Sequence, residues 1–140
     1  MKTKSAGLMC MGIILIIAMA IPAIANQNDT TLEVVGISGG FGGVTVKVEN
    51  TGNAVASGIT VTTTVQGGIL NGIDITHFCG GCEDCGTTLG PGSIKTENTM
   101  EAGLILGVGP VHITCIASAD NAPEVSAEAS GFVIGPMILI

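Results

Sequence analysis

The alternation of apolar and polar side chains is the feature that most limits how this chain can fold. Val44, Val46 and Val48 alternate with polar residues, and a second alternating run extends from Ile59 to Val65, with threonines between its apolar positions. β-branched residues favour a pleated strand because a helical turn restricts their side chains. Glycine pairs interrupt these runs, as turns do. The body of the chain is therefore predicted to consist of half-buried strands.

The spacing of these runs predicts the architecture. About seven or eight short strands fit, separated by turn signals, which is typical of an all-β, immunoglobulin-like antiparallel β-sandwich. A closed barrel is the alternative. Val111–Ala119 is expected to turn Cys115 toward the core and His112 toward solvent. We predict strands at 32–37, 44–49, 59–65, 69–75, 93–100, 111–119, 125–130 and 132–140.

The last predicted strand, 132–140, is almost wholly apolar. It is too short to cross a bilayer as a helix. We expect a strand that is buried on both faces. The alternative is a donor strand that completes a neighbouring subunit.

The first 25 residues have the pattern of an export signal. Two lysines precede an apolar run, Leu8–Ala20, Pro22 ends any helix, and small residues lead to a cleavage point after Ala25. We expect a signal helix at 1–25 and an extracytoplasmic protein, secreted or on the cell surface. Two alternatives are an uncleaved membrane anchor and a pilin-like leader whose apolar helix builds a filament.

The remainder is one domain. Residues 26–31 are a polar arm, in which Asn28 begins a glycosylation sequon whose use the sequence leaves open. The sandwich is expected to occupy 32–140. A loop rich in glycine and cysteine is expected at 77–92.

Charge and aromatic content limit the partners. Cleavage would leave Lys47 and Lys95 as the only basic residues against eleven carboxylates. Nucleic acid is excluded because its phosphates are bound by lysine and arginine. The chain has no Trp or Tyr, so aromatic anchors are scarce. We expect a protein or cell-surface partner, including self-assembly, and membrane contact only through an uncleaved N-terminal segment.

Three motifs carry a resemblance to a known family. Val44–Asn53 ends a strand in Asn-x-Gly, Leu89–Gly92 has the form Leu-x-Pro-Gly, and Gly107–Thr114 precedes a turn at Asp120–Asn121. Together they resemble the CARDB-type and related immunoglobulin-like domains of bacterial and archaeal surface proteins, over most of residues 32–134. The resemblance implies a spacer, an adhesion module or a filament subunit, and it supplies no catalytic residues. The cysteine loop is not part of that family pattern.

The cysteines that follow the signal are expected to form disulfides. Cys79, Cys82, Cys85 and Cys115 are an even number in a small exported domain. Their pairing is left open. A bond between Cys115 and a loop cysteine would tie the loop to the sandwich and stabilise the fold by about 2–4 kcal/mol.

A metal site is the alternative use of these cysteines. Cys79, Cys82 and Cys85 with Cys115 as a distant fourth ligand are compatible with zinc or an iron–sulfur cluster, and His77 could supplement them. Export opposes this alternative because thiolate ligands need a reducing compartment. A redox dithiol is disfavoured because the neighbouring carboxylates destabilise a thiolate.

The sequence therefore predicts an exported, non-enzymatic structural or adhesion module of the cell surface, with no cofactor and no catalytic residues. The alternatives are an extracytoplasmic metal or iron–sulfur protein that uses the cysteine loop, and a pilin-like or donor-strand filament subunit.

Overall fold

The computed structural model describes residues 29–80 and 86–140, which form an all-β fold. The predicted signal helix at 1–25, the sequon at Asn28, and Cys82 and Cys85 lie outside the described residues. The strands are β1 (Leu32–Gly39), β2 (Val44–Asn50), β3 (Ala56–Ser57), β4 (Thr60–Gly67), β5 (Ile73–Gly80), β6 (Thr88–Leu89), β7 (Ile94–Asn98), β8 (Gly107–Ala119), β9 (Ala122–Gly135) and β10 (Met137–Leu139).

Two antiparallel sheets pack against one core. The smaller sheet has the order β1-β2-β7, and the larger has the order β10-β9-β8-β4-β5. β3 and β6 form a short separate ladder. Buried side chains from the smaller and the larger sheet belong to a single apolar cluster. The predicted all-β, antiparallel sandwich is therefore confirmed.

Side-chain alternation decides which face of each strand is buried. Val44, Val46 and Val48 are at most 1% exposed, and the intervening residues of β2 are not buried. β8 follows the same rule, since Cys115 is buried and His112 is exposed, as the sequence predicted. Period two thus aligns every second side chain with the core.

The segment 69–75 differs from its prediction as one strand. Ile69–Asn71 form a 3-10 turn in which Leu70 has φ 63° and is 95% exposed. β5 then runs from Ile73 to Gly80, so the first residues of the predicted loop 77–92 are strand. The reason is that His77 and Cys79 continue the inward alternation of β5 while its backbone pairs with β4 along its whole length.

The expectation for 132–140 is wrong. Phe132 and Ile134 extend β9, and the chain turns at Pro136 to return as β10. Both pairings are antiparallel and within this chain. Only alternate residues, such as Val133 and Ile138, are buried. The others point away from the core because only one face of this sheet packs against the second sheet.

Candidate functional site

A polar cluster fills one edge of the sandwich, where β5 and β7 face each other. β5 is the last strand of the larger sheet, and β7 is the last strand of the smaller one. His77 comes from β5, Lys95 and Glu97 from β7, and Glu101 from a 3-10 turn that follows β7. We call these four residues the edge cluster. The side chains of His77, Lys95 and Glu97 are largely buried, and that of Glu101 is largely exposed.

Strand register explains why charged residues of β7 point inward. Glu97 lies opposite Val46 on β2, and Lys95 lies opposite Val48. Opposed residues of an antiparallel pair project to the same face of the sheet. Val46 and Val48 face the core, so Lys95 and Glu97 do too, and their side chains are only 12% and 10% exposed.

The atoms of the edge cluster lie close together. His77 Nε2 is 3.6 Å from Glu97 Oε2 and 3.9 Å from Glu101 Oε2. Lys95 Nζ is 3.0 Å from the other oxygen of Glu97, Oε1. Glu97 therefore has one oxygen on the lysine and the other directed toward the histidine.

The 3-10 turn that carries Glu101 is held by side-chain hydrogen bonds. Asn98 Oδ1 accepts a hydrogen bond from the Met100 backbone N–H (2.8 Å), and Asn98 Nδ2 donates to Thr45 Oγ1 (2.9 Å). The buried Thr99 Oγ1 accepts from the Val44 N–H (2.9 Å). These bonds fix the backbone of Glu101, although its side chain is 70% exposed.

The imidazole of His77 is the unusual member of the edge cluster. Its side chain is 8% exposed, and Nε2 has no hydrogen-bond partner among the described residues. A buried polar atom without a partner costs about 1–3 kcal/mol. Within a few ångströms of Nε2 lie two carboxylate oxygens, a donor set that can hold a proton or a cation.

A polar row continues inward from His77. His77 lies opposite Thr63 on β4, and Thr63 lies opposite Cys115 on β8. Burial raises the pKa of the Cys115 thiol, and the Thr63 hydroxyl lowers it by a smaller amount. Cys115 is therefore a protonated, buried thiol at neutral pH, unsuited to act as a nucleophile.

The structure separates the predicted cysteine ligands. Cys115 carries a free thiol, which contradicts the expectation that it forms a disulfide. Cys79 lies two residues from His77 on β5, is 2% exposed and is not a free thiol. β4 lies between β5 and β8, which places these two strands about 9–10 Å apart. Cys79 is also level with Ala117, two residues along β8 from Cys115, so the two cysteines are further apart still.

The distance between Cys79 and Cys115 excludes both a disulfide between them and a single metal ion bound to both. A disulfide needs Cα atoms within about 7 Å, so a bond between Cys79 and Cys115 is sterically excluded. One zinc ion cannot reach both sulfurs either, because each Zn–S bond is about 2.3 Å long. His77 instead lies beside Glu97 and Glu101, which the sequence analysis had not singled out.

The second notable surface is apolar and lies on the outer side of the larger sheet. Val108, Ile134 and Met137 form one row across β8, β9 and β10. Pro110, Phe132 and Leu139 form the next row. We call these six residues the apolar face. All are exposed, from 43% for Phe132 to 54% for Ile134 among those with large side chains.

The apolar face has a defined border. On one side Ile69 and Leu106 line a shallow hollow together with Val108, which extends the apolar surface. On the other side lie the exposed residues His112 and Glu128, whose Nε2 and Oε2 atoms are 3.6 Å apart. The face itself therefore carries no charge.

Comparisons with known proteins add no identity. No protein-family model matches the chain, and no curated protein matches it significantly. Among the described residues, none of the helices is long and apolar enough to cross a bilayer.

Proposed function

We propose that this chain is an exported, non-enzymatic structural module of the cell surface, an immunoglobulin-like β-sandwich of the kind its motifs resemble. In this proposal it associates with further copies of itself through the apolar face. The observation that supports the proposal is the exposure of two complete rows of apolar side chains on β8, β9 and β10. Apolar patches of more than a few hundred Å² on soluble proteins mark interaction sites, and Ile69 and Leu106 extend this patch toward that size.

The shape of the apolar face favours a second copy of this chain as its binding partner. The apolar face is the outer surface of a sheet, and sheets pack face to face about 10 Å apart with interdigitating side chains. The face of another copy offers the same sheet geometry and the same apolar rows. Contact between two such faces is isologous, which is the commonest form of self-association.

Charge also supports self-association at this place. The chain is strongly acidic, with eleven carboxylates against four basic residues, and two copies repel each other over most of their surfaces. Two apolar faces do not repel each other in this way, because neither carries a charge.

The size of the face sets the expected affinity. Two rows on three strands project to roughly 200 Å². A stable dimer buries about 800 Å² on each partner. Even with Ile69 and Leu106, we therefore expect reversible association that depends on concentration, as in a lateral array on a surface.

Sedimentation velocity tests this proposal on the chain as it is exported. Between about 10 µM and 1 mM, concentrations chosen to bracket a weak interface, we expect the mean sedimentation coefficient to rise. Ile134→Asp should remove the rise because it places a carboxylate in the centre of the apolar face. The N-terminal sequence of the same sample shows whether cleavage occurs after Ala25.

Ser126→Asp is the matched control, because Ser126 lies exposed on the same strand but outside the apolar face. We expect it to associate like the unchanged chain. An exported chain that stays monomeric up to 1 mM, or an Ile134→Asp variant that associates normally, would contradict the proposed interface. Association only in chains that keep residues 1–25 would assign assembly to the N-terminal segment instead.

A further inference from the structure

We propose that the edge cluster binds one divalent transition-metal ion, such as Zn²⁺, through His77 Nε2, Glu97 Oε2 and Glu101 Oε2. The inference is independent of the proposed self-association, since the edge cluster lies between β5 and β7 and the apolar face lies on β8, β9 and β10.

The distances fit a common centre. The three atoms lie within 4.8 Å of one another. The distance from His77 Nε2 to Glu97 Oε2 is 3.6 Å, and that to Glu101 Oε2 is 3.9 Å. Two ligands on a tetrahedral zinc ion, with bonds of about 2.0–2.1 Å, are roughly 3.4 Å apart. Metal binding therefore requires each carboxylate to approach the histidine by only a few tenths of an ångström. The Glu101 side chain is largely exposed and can make that movement.

His77 Nε2 is the observation that favours a ligand over a plain cluster of acids. This atom is buried and without a hydrogen-bond partner in the described structure, and it lies next to both carboxylates. Buried polar atoms are nearly always satisfied by a partner. A metal ion bound to Nε2 would satisfy it and would also neutralise the carboxylates.

Lys95 orients Glu97 for this role. It holds Oε1 at 3.0 Å and leaves Oε2 directed at His77. With the imidazole neutral, as metal ligation requires, the formal charges of Lys95, Glu97 and Glu101 leave a net negative charge. A dication is therefore attracted to the site in spite of the lysine.

The donor types select the class of ion. Ca²⁺ and Mg²⁺ prefer sites made wholly of oxygen. An imidazole nitrogen with two carboxylates suits Zn²⁺ and other first-row divalent ions. The ligands come from an edge strand of each sheet and from the turn after β7, so the bound ion would clamp one side of the sandwich.

Calorimetric titration of the full, chelator-treated chain with zinc chloride tests the site. We expect one ion per chain, no comparable heat with calcium or magnesium chloride, and an increase in Tm on zinc addition. His77→Gln and Glu101→Gln should each weaken zinc binding at least about 100-fold, because losing even an outer partner of a metal ligand costs about 10–100-fold.

Two controls exclude other zinc sites. His112→Gln removes the other His–Glu pair, which has the same 3.6 Å separation but a single carboxylate, and should leave zinc binding unchanged. A Cys82→Ser/Cys85→Ser variant should also bind zinc as the unchanged chain does. Cobalt bound in place of zinc should show no sulfur-to-metal charge-transfer band.

Several results would overturn the proposal. These are the absence of zinc binding, full affinity in Glu101→Gln, or loss of binding in the double cysteine variant together with a sulfur-to-cobalt band. Glu101→Gln decides the question if His77→Gln fails to fold, because the Glu101 side chain is exposed and its loss leaves the core intact.

Discussion

Asn50 is a polar residue with no exposed surface, and three hydrogen bonds account for its burial. Its Nδ2 donates to the carbonyls of Ala54 (2.7 Å) and Leu89 (2.9 Å), and its Oδ1 accepts from the Gly52 N–H (3.0 Å). One side chain thereby joins the end of β2 to the turn after it and to β6. This is the Asn of the Asn-x-Gly motif that ends β2.

Asn50→Ala should lower the free energy of unfolding by at least about 2 kcal/mol, because each buried group left without its partner costs about 1–3 kcal/mol. Urea unfolding measures this loss. Asn53→Ala is the control, since Asn53 accepts one hydrogen bond from the Asp29 N–H at an exposed site (2.8 Å). It should cost less than about 0.5 kcal/mol. Equal losses in the two variants would contradict the role assigned to Asn50.

The buried Cys115 thiol makes the free energy of unfolding depend on pH in the alkaline range. Burial raises the pKa of its thiol above the ordinary value of 9.0. Below that value the thiol is protonated in both the folded and the unfolded chain, so it causes no pH dependence. Above it the unfolded chain loses a proton that the folded chain keeps, and this favours unfolding.

We therefore expect the free energy of unfolding to fall as pH rises above about 9, with a slope that approaches 1.4 kcal/mol per pH unit. The chain has no Tyr, and lysine side chains ionise mainly above about pH 10.4, so this window is favourable. Urea unfolding at several pH values, compared with Cys115→Ala, measures the effect. A variant with the same slope between pH 9 and 10 would show that another group is responsible.

At the scale of elements, β10 is a short strand whose position depends on close backbone contact. The Ile138 N–H donates to the Gly40 carbonyl (2.9 Å), and Ile138 is 2% exposed. A Cβ atom at Gly39 would collide with the Ile138 carbonyl oxygen. A Cβ atom at Gly40 would come no closer than 3.9 Å to another residue.

Gly39→Ala should therefore displace β10 and leave the rest of the sandwich folded. We expect the Ile138 amide to exchange its hydrogen at least about tenfold faster, while the amides of β4 keep their protection. Gly40→Ala is the control and should exchange normally. Unchanged exchange at Ile138 in Gly39→Ala would show that β10 does not need this contact.

The strands also show where side-chain alternation predicts the buried face correctly. β2, β4 and β8 each follow a clear alternation, and their buried faces were predicted correctly from sequence. β7 lies within the predicted strand 93–100, whose large apolar side chains are Ile94 and Met100. In the structure both are about half exposed, and the inward positions are Lys95 and Glu97. Pairing with β2 decides the inward face of β7, and no local pattern reveals that register.

At the scale of the whole molecule, the two sheets are joined by an apolar centre and differ at their margins. One margin is closed by the polar edge cluster, and the outer side of the larger sheet carries the apolar face. The apolar C-terminal segment 132–140 was expected to be buried on both faces. That expectation is wrong because position within the sheets, more than residue type, decides which side chains are covered.

The amino-acid pattern is enough to predict that the described chain is all-β, because the alternation of β-branched residues is a local property that needs no distant contact. It also determined that Cys115 is turned inward and His112 outward. The packing of the sheets, by contrast, places His77 beside Glu97 and Glu101, and the position of β4 separates Cys115 from Cys79. These outcomes depend on strand order and register, which arise from pairing between segments far apart in the chain and are not encoded in any one of them.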